Sequence, residues 1–283
     1  MAMQIGVEMT VLNAFVDQPV PWLAVTIALS AAFLMGFARS GLGTGGFVVS
    51  PLMVLGLGAT DGLAVVAVLM LPAAVLGVWQ HRGEAGPALL RPLIPAAVLG
   101  TTIGGLLLWL LVSEGEMALV HRRLELVVAG LSLVYVAMMA LREKIASLGG
   151  GGGPPRPLGT FLVGTVLGIS QTVANSGSPL MTVYFVRHGL EKARFVAAQL
   201  DFLLVQNLLK LVPLLLLGVL HLGNAGAALV LVPVTMIGNL VGERFYKVAT
   251  RRLFFGFYIA LLLTGFVVSV LLIIGRDRVL SLI

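Results

Sequence analysis

Apolar residues fill most of the chain in long uninterrupted runs. Six of these runs approach or exceed the length needed to cross a hydrocarbon core about 30 Å thick, which takes about 20 helical residues. They cover residues 62–80, 92–112, 124–141, 195–219, 225–241 and 253–274. The pattern predicts two sets of three transmembrane helices.

A shorter apolar region with a polar break precedes each set of three. The first, at residues 22–58, is interrupted by ARSGLGTGG at 38–46, and the second, at 158–186, by SQTVANSGS at 170–178. A backbone break at membrane depth exposes amide groups that lipid cannot satisfy. We therefore expect both breaks to be covered by protein, water or a ligand.

The two broken regions resemble each other. A shift of 132 residues aligns Gly36 with Gly168, Gly45 with Gly177 and Val54 with Val186. The same shift aligns Arg39, Ser40 and Thr44 with Gln171, Thr172 and Ser176. Weak internal repeats with interrupted helices are the best sequence pointer to the binding site of a transporter. The alternative explanation is the general preference of membrane helices for Gly and Ser.

A glycine- and proline-rich segment separates the two halves. Residues 142–157 contain GGGGGPPRP, which cannot form a helix. We predict a first membrane repeat at 1–141, a cytoplasmic linker at 142–157 and a second membrane repeat at 158–283. The predicted fold is an all-α polytopic membrane protein with two inverted repeats. Each repeat has one broken or re-entrant helix pair and three transmembrane helices.

The basic residues give an orientation. If each broken region is a re-entrant hairpin, twelve of the eighteen Lys and Arg residues fall on one side and four on the other, with Arg39 and Lys210 inside membrane segments. The richer side is then cytoplasmic. Each half crosses three times, so the repeats are inverted and both termini lie outside. If each broken region instead crossed once, the repeats would be parallel and the basic loops would be scattered.

Composition excludes other classes of protein. Apolar residues make up 59% of the chain and charged residues 11%, against about 25% charged in soluble domains. The net charge of +6 lies in loops, where it orients the protein and does not indicate nucleic-acid binding. With no cysteine, disulfides and thiolate metal sites are excluded, and no cofactor or metal is expected.

The breaks predict an anion site. Thr44-Gly45-Gly46 and Ser178-Pro179 are typical helix starts. Such starts aim unpaired N–H groups, and about half a positive charge, into the membrane interior. The predicted substrate-binding residues of the breaks are Arg39, Ser40, Gly43, Thr44, Gly45, Gly46, Gln171, Thr172, Asn175, Ser176, Gly177 and Ser178.

The span at 195–219 carries a polar stripe. Gln199, Gln206 and Lys210 fall on one face, with Asn207 beside them. A charge within a span costs at least about 2.5 kcal/mol, which argues against a lipid-facing stripe. Gln206 and Lys210 are therefore further substrate-binding candidates. The alternatives are a Lys210 that reaches the outer interface and an Arg39 that snorkels or pairs with a backbone carbonyl.

Asp201 lies on the opposite face of the same span. It is a candidate for proton coupling, and a salt bridge to Arg194 or Arg187 is the alternative. A membrane-embedded enzyme is a competing function, with Ser176 or Ser178 as nucleophile. No histidine is expected within a span, and nothing resembles a full catalytic constellation, so we predict that the protein is not an enzyme.

A glycine motif carries a family resemblance. The pattern G-x-x-x-x-x-x-G-x-G-G-x-x-x-x-P runs from Gly36 to Pro51, and a looser copy runs from Gly168 to Pro179. Together with the paired halves, it resembles the TauE/SafE family of sulfite exporters over nearly the whole chain. The resemblance implies transport of small anions, chiefly sulfite and organosulfonates such as sulfoacetate, across the bacterial cytoplasmic membrane. The second copy departs from the family pattern, since Asn175-Ser176-Gly177-Ser178 replaces a G-x-G-G type run.

The predicted function is a secondary transporter, an exporter of small sulfur-containing oxyanions that bind between the two broken helices near the bilayer midplane. The alternative is an anion channel of the same fold. The expected partners are the small anion, the lipid bilayer and, as one option, a second copy of the chain. Arg39 and Lys210 rest on the physical argument and not on the family resemblance.

Overall fold

The computed structural model describes residues 14–42, 45–80, 87–113, 116–141, 144, 156–187 and 192–281. These residues form α1 (Pro21–Phe37), a π-helical segment (Ala38–Leu42), α2 (Gly46–Leu57), α3 (Ala59–Gln80), α4 (Pro87–Val112), α5 (Met117–Ala140), α6 (Pro157–Ala174), α7 (Ser178–Arg187), α8 (Lys192–Leu216), α9 (Leu222–Val248), α10 (Arg251–Ile274) and α11 (Arg276–Leu280). Within the described residues, eight helices are long and apolar enough to cross a membrane. The prediction of an all-α polytopic membrane protein is confirmed.

Each of the six predicted spans coincides with one long helix, and α5 is extended at its start. It begins at Met117, seven residues before the apolar run that predicts it. The charged turn stays helical because Arg122 pairs with Glu125 at 3.4 Å and donates to the Leu272 carbonyl at 2.7 Å. His121 therefore lies in a candidate span, and the expectation of no histidine within a span is wrong.

Helices α1 and α2 form a hairpin, the first hairpin. The Gln18 side chain, just before α1, donates to the carbonyl of Leu57 at the end of α2 (3.2 Å). A Cβ built on Gly56 would lie 3.0 Å from the side chain of Ile27 in α1. The end of α2 thus returns to the beginning of α1.

Helices α6 and α7 form the second hairpin in the same way. The hydroxyl of Thr160, near the start of α6, pairs with the hydroxyl of Tyr184, near the end of α7. A Cβ on Gly164 would lie 2.8 Å from the β-carbon of Ala96. This hairpin therefore packs beside the first half of α4.

The open end of the first hairpin, where α1 begins and α2 ends, lies at the opposite end of the bundle from the open end of the second hairpin. Arg276, directly after α10, donates to the carbonyl of Leu55 near the end of α2 (3.0 Å). Arg122 joins the beginning of α5 to the end of α10. The open end of the first hairpin therefore lies at the same end of the bundle as the α4–α5 connection. The open end of the second hairpin lies at the other end, beside the beginning of α4.

The helix breaks are narrower than predicted. The π-helical segment carries the first helix to Leu42, and α6 continues to Ala174, so Ser40 and Thr172 are helical. Their hydroxyls donate to carbonyls one turn back, at 2.9 Å for Ser40 and 2.8 Å for Thr172. Such hydroxyls are satisfied within a helix, so polarity alone does not end it.

Glycines bring the second hairpin close to α4. A Cβ on Gly168 would lie 2.8 Å from the Cα of Gly100, and one on Gly104 would lie 2.8 Å from the Cβ of Thr172. Only residues without a side chain permit backbones to approach this closely. Gly100 and Gly104 are four residues apart, which places both on one face of α4.

The same arrangement recurs between the first hairpin and α9. A Cβ on Gly36 would overlap the Thr235 carbonyl oxygen, and one on Gly242 would overlap the hydroxyl of Ser40. Gly36 and Ser40 are the residues that the 132-residue shift aligns with Gly168 and Thr172. Each hairpin thus packs on the second long helix of the other half, through equivalent positions.

Candidate substrate-binding site

Lys210 is the centre of the candidate site. It lies on α8 and is fully buried. Its Nζ donates to Oδ1 of Asn175 at 2.5 Å and to the sulfur of Met70, a weak acceptor, at 3.4 Å. The side chain therefore points into the bundle, and the alternative that it reaches the outer interface is wrong.

No carboxylate balances the charge of Lys210 within the described part of the chain. Glu125 is the one buried carboxylate there, and it pairs with Arg122. The two acceptors of Lys210, an amide oxygen and a thioether, are both neutral. A buried ammonium with neutral partners has strong affinity for an anion, because desolvation has already removed its competing water.

Asn175 aims its amide oxygen at Lys210. It ends α6 in the left-handed conformation (φ 53°), which Asn tolerates better than most residues. Its backbone N–H donates to the Gln171 carbonyl, and its Nδ2 donates to the carbonyl of Leu63 on α3 (2.9 Å). With Nδ2 held by α3, Oδ1 faces α8 and fixes the position of the Lys210 amine.

Arg39 brings a second positive charge from the other half of the chain. It lies in the π-helical segment, a rare geometry that is frequent at functional sites. Its Nε and Nη2 are buried and have no hydrogen-bond partner among the described residues, although the residue as a whole is partly exposed. Ala38, beside Arg39, belongs to the cluster against which Leu180 of α7 packs. Arg39 thus lies near the second hairpin, whose Asn175 holds Lys210. Two cations from different halves therefore share one interior region.

Gln206 lies one helical turn before Lys210 on the same face of α8. Its Nε2 donates to the Thr101 hydroxyl at 2.7 Å, and to Thr172 at 3.3 Å. Its Oε1 has no partner in the described part of the structure, and the same is true of Gln171 Oε1 and of both amide atoms of Asn207. Buried polar atoms are usually paired, so a group of unpaired ones indicates bound water or a ligand.

The starts of α2 and α7 approach the same region. The Gly45 carbonyl accepts from the Val48 N–H at 2.9 Å, and the Gly177 carbonyl from the Leu180 N–H at 3.2 Å, which places the helix starts at these glycines. The first helical residues are Gly46 and Ser178. Leu180 packs on the cluster that contains Phe47 of α2, so the two helix starts lie near each other.

Other predicted site residues have different surroundings. Ser176 is buried and donates to the Ala174 carbonyl at 2.6 Å. Ser40 donates to the Asn239 carbonyl on α9 at 2.8 Å, which ties the first hairpin to the second half. Gly43, Thr44 and the side chain of Ser178 lie outside the described part of the chain.

Asp201 is partly exposed on α8. Within the described part of the chain it has no ion-pair partner, so the alternative of a salt bridge to Arg194 does not hold. The alternative bridge to Arg187 involves a side chain outside that part.

The Ser–Lys pair of the enzyme alternative does not form between Ser176 and Lys210. Ser176 donates to the Ala174 carbonyl, and Lys210 donates to Asn175 and Met70, so neither side chain bonds to the other. His188, the histidine closest in sequence to the second break, lies outside the described residues. A nucleophile paired with its base is the minimum for covalent catalysis.

A separate cavity of about 320 Å³ lies where the first hairpin opens. Arg122 and Arg276 line it, but each guanidinium donates to helix carbonyls, so these arginines hold helix ends together. Burial lowers the pKa of Arg276, and the nearby Asp277 partly opposes this shift. The cavity is thus distinct from the region around Lys210.

Two residues of the candidate region could not be identified from the sequence as part of a site. Thr101 accepts the shortest hydrogen bond from Gln206, yet it lies in an apolar span beside another threonine. Met70 contacts Lys210, but a methionine in an apolar run is ordinary. Finding either residue requires knowing which helices are neighbours.

The fold and the site together define a polytopic helical membrane protein in which two helical hairpins meet near a buried lysine of α8. The family model described as "Sulfite exporter TauE/SafE" matches residues 28–268. The chain therefore belongs to the TauE/SafE sulfite exporter family, as its glycine motif predicts. No curated protein and no solved structure matches the chain.

Proposed function

We propose that the protein is a secondary transporter that exports small sulfur-containing oxyanions, such as sulfite or an organosulfonate. The observation that carries this proposal is Lys210, fully buried with an amide and a thioether as its partners. A cation kept in a membrane interior without a counter-charge is a functional feature, because it costs stability that packing alone does not require. The family adds the expectation of a sulfur oxyanion.

The chemistry of the region favours an oxyanion over a neutral or cationic solute. Lys210 and Arg39 supply charge, while Asn207 offers an unpaired amide donor. The starts of α2 and α7 add backbone N–H groups and the positive ends of two helix dipoles. Several convergent donors match the several oxygens of a sulfite or sulfonate group.

The path of the chain supports inverted repeats. Each half contains one hairpin that returns to the end from which it starts and three long helices that run from end to end. Three crossings are an odd number, so the second half enters the membrane with the opposite orientation. Inverted repeats around a midplane site allow one half to rock against the other and open the site to each side in turn.

The distribution of basic residues supports an orientation in the bacterial cytoplasmic membrane. The first hairpin opens beside Arg122 and Arg276, which belong to the side with only four basic residues. By the positive-inside rule that side is outside the cell. Both ends of the chain are then outside.

The test begins with thermal unfolding of the detergent-purified protein in the presence of sulfite, sulfate, thiosulfate, sulfoacetate, taurine or chloride. A ligand at about 100 times its dissociation constant adds about 2.7 kcal/mol if it binds only the folded state. We expect stabilisation by sulfite or a sulfonate and none by chloride or taurine. A flat response to all six would overturn the anion site.

Transport itself is measured in proteoliposomes loaded with unlabelled anion. A carrier exchanges radiolabelled anion faster when the same anion is present on the opposite side. A channel shows no such trans-stimulation, so its absence would replace the carrier by an anion channel. Lys210→Met, which keeps an unbranched side chain one atom shorter and without the charge, is the inactive control.

A further inference from the structure

The candidate site contains more basic than acidic side chains among the described residues, and this excess bears on the charge of the substrate. Lys210 and Arg39 are both positive, and the one buried carboxylate of the described residues is held by Arg122 beside the separate cavity. The hydrogen-bond partner of Lys210 is a neutral amide, and Nε and Nη2 of Arg39 have no partner in the described part. The interior therefore carries two positive charges without a local negative one.

The two charges come from opposite halves of the chain. Arg39 lies in the π-helical segment at the tip of the first hairpin, and Lys210 is held by Asn175 at the tip of the second. An anion that lies near both side chains would offset their charges. One negative charge would leave a net positive charge in a medium of low dielectric, where an uncompensated charge is strongly unfavourable.

We infer that the site selects substrates with two negative charges over substrates of the same shape with one, because Lys210 and Arg39 together present two cations. The inference rests on the proposed anion transport and adds the charge of the substrate to it. Sulfate, thiosulfate and doubly ionised sulfoacetate belong to the favoured class. Methanesulfonate, perchlorate and chloride do not.

Two matched pairs of anions test the inference. Sulfate and perchlorate are both tetrahedral and differ by one charge, whereas sulfoacetate and methanesulfonate share the sulfonate and differ by a carboxylate. Binding of each anion to the full chain in detergent is measured by calorimetry and thermal unfolding at constant ionic strength. We expect the doubly charged member of at least one pair to bind at least about tenfold more tightly than its partner.

Charge variants give the second arm of the test. In Lys210→Gln the site keeps one cation, so the preference for the doubly charged anion should shrink to within about threefold of its partner. Arg39→Gln should have the same effect and serves if Lys210→Gln does not fold. Lys210→Arg keeps both charges and should retain the preference.

The outcomes separate the inference from the function on which it rests. Equal or tighter binding of the singly charged members in the unaltered protein would overturn the charge selection and leave anion transport standing. A preference that survives in both charge-removing variants would also overturn it. If none of the four anions binds, both the proposed function and the inference fail.

Discussion

Asn175 and Lys210 are joined by a hydrogen bond of 2.5 Å at the point where α6 ends. The bond connects a helix break to a polar stripe on a different helix. It also places a neutral oxygen where a stable buried ion pair would place a carboxylate. The position of Lys210 therefore depends on a partner that leaves its charge available.

Asn175→Asp should weaken anion binding without unfolding the protein. The carboxylate would pair directly with Lys210 and occupy the charge that the anion needs. We expect at least about a tenfold loss of affinity for the best anion, measured by calorimetry. In the absence of ligand, the ion pair with Lys210 should offset the loss of the bond from Nδ2 to the Leu63 carbonyl, so the midpoint of thermal unfolding should change little.

Asn175→Gly is the matched control, because glycine adopts the left-handed conformation easily but has no amide. It should lose less affinity than Asn175→Asp, since Lys210 keeps its free charge. If the aspartate variant binds anions as well as the unaltered protein, Lys210 is not part of the site.

The glycine contacts between the halves should govern stability. Gly100→Ala would place a methyl group against the Thr165 carbonyl, and Gly238→Ala would do the same against Phe33. Overpacking of this kind typically costs about 1–3 kcal/mol. We expect both variants to lower the midpoint of thermal unfolding by similar amounts, because the two positions have equivalent roles.

Gly130→Ala on α5 is the control for the glycine variants. A Cβ there would meet nothing within 4 Å, so alanine should be neutral or stabilising by up to about 1 kcal/mol. Unchanged stability in Gly100→Ala and Gly238→Ala would mean that the helices do not cross closely at these glycines.

The sequence predicts the helices better than it predicts their breaks. Apolar length identifies six of the eight candidate spans among the described residues, because crossing a membrane imposes that length directly. The other two, α1 and α6, look shorter in the sequence because polar residues occupy their last turns. The breaks at 38–46 and 170–178 are narrower in the structure because Ser40 and Thr172 bond to their own helices. The sequence shows where a serine or threonine lies, but it does not show which group accepts the hydrogen bond from its hydroxyl.

For the candidate site too, the sequence predicts which residues are polar and buried but not which residues contact one another. The spacing of Gln199, Gln206 and Lys210 predicts one helix face, and all three are buried. The family motif also places Asn175 at a break. The bond between Asn175 and Lys210 depends on how α6 packs against α8, which no local pattern encodes. For the same reason Thr101 and Met70 emerge only from the fold.

Arg276→Gln should loosen the first hairpin. The guanidinium donates to the carbonyls of Leu55 at 3.0 Å and Gly56 at 3.2 Å, and it also contacts Gln18. Hydrogen bonds from a charged donor contribute about 1.5–3 kcal/mol each. We expect faster hydrogen exchange in the last turn of α2 and a lower midpoint of thermal unfolding.

Arg278→Gln is the control for Arg276, since Arg278 is exposed near the same cavity. It should leave exchange in α2 unchanged. Equal exchange rates in the Arg276 variant and the unaltered protein would show that the hairpin is held by packing alone.

Asp201→Asn should separate proton coupling from anion transport. Asp201 lies in a candidate span, is partly exposed and has no ion-pair partner among the described residues, so its carboxylate can take up and release a proton. In proteoliposomes the asparagine variant should exchange anions across the membrane at a rate within about threefold of the unaltered protein. It should no longer accumulate anion when a pH gradient is imposed.

Glu243→Gln is the control for Asp201. It removes an acid that pairs with Lys247 on the exposed surface of α9 and should respond to the gradient normally. Gradient-driven accumulation that is intact in Asp201→Asn would assign the coupling elsewhere, whereas its absence in the unaltered protein as well would indicate flow down the anion gradient alone.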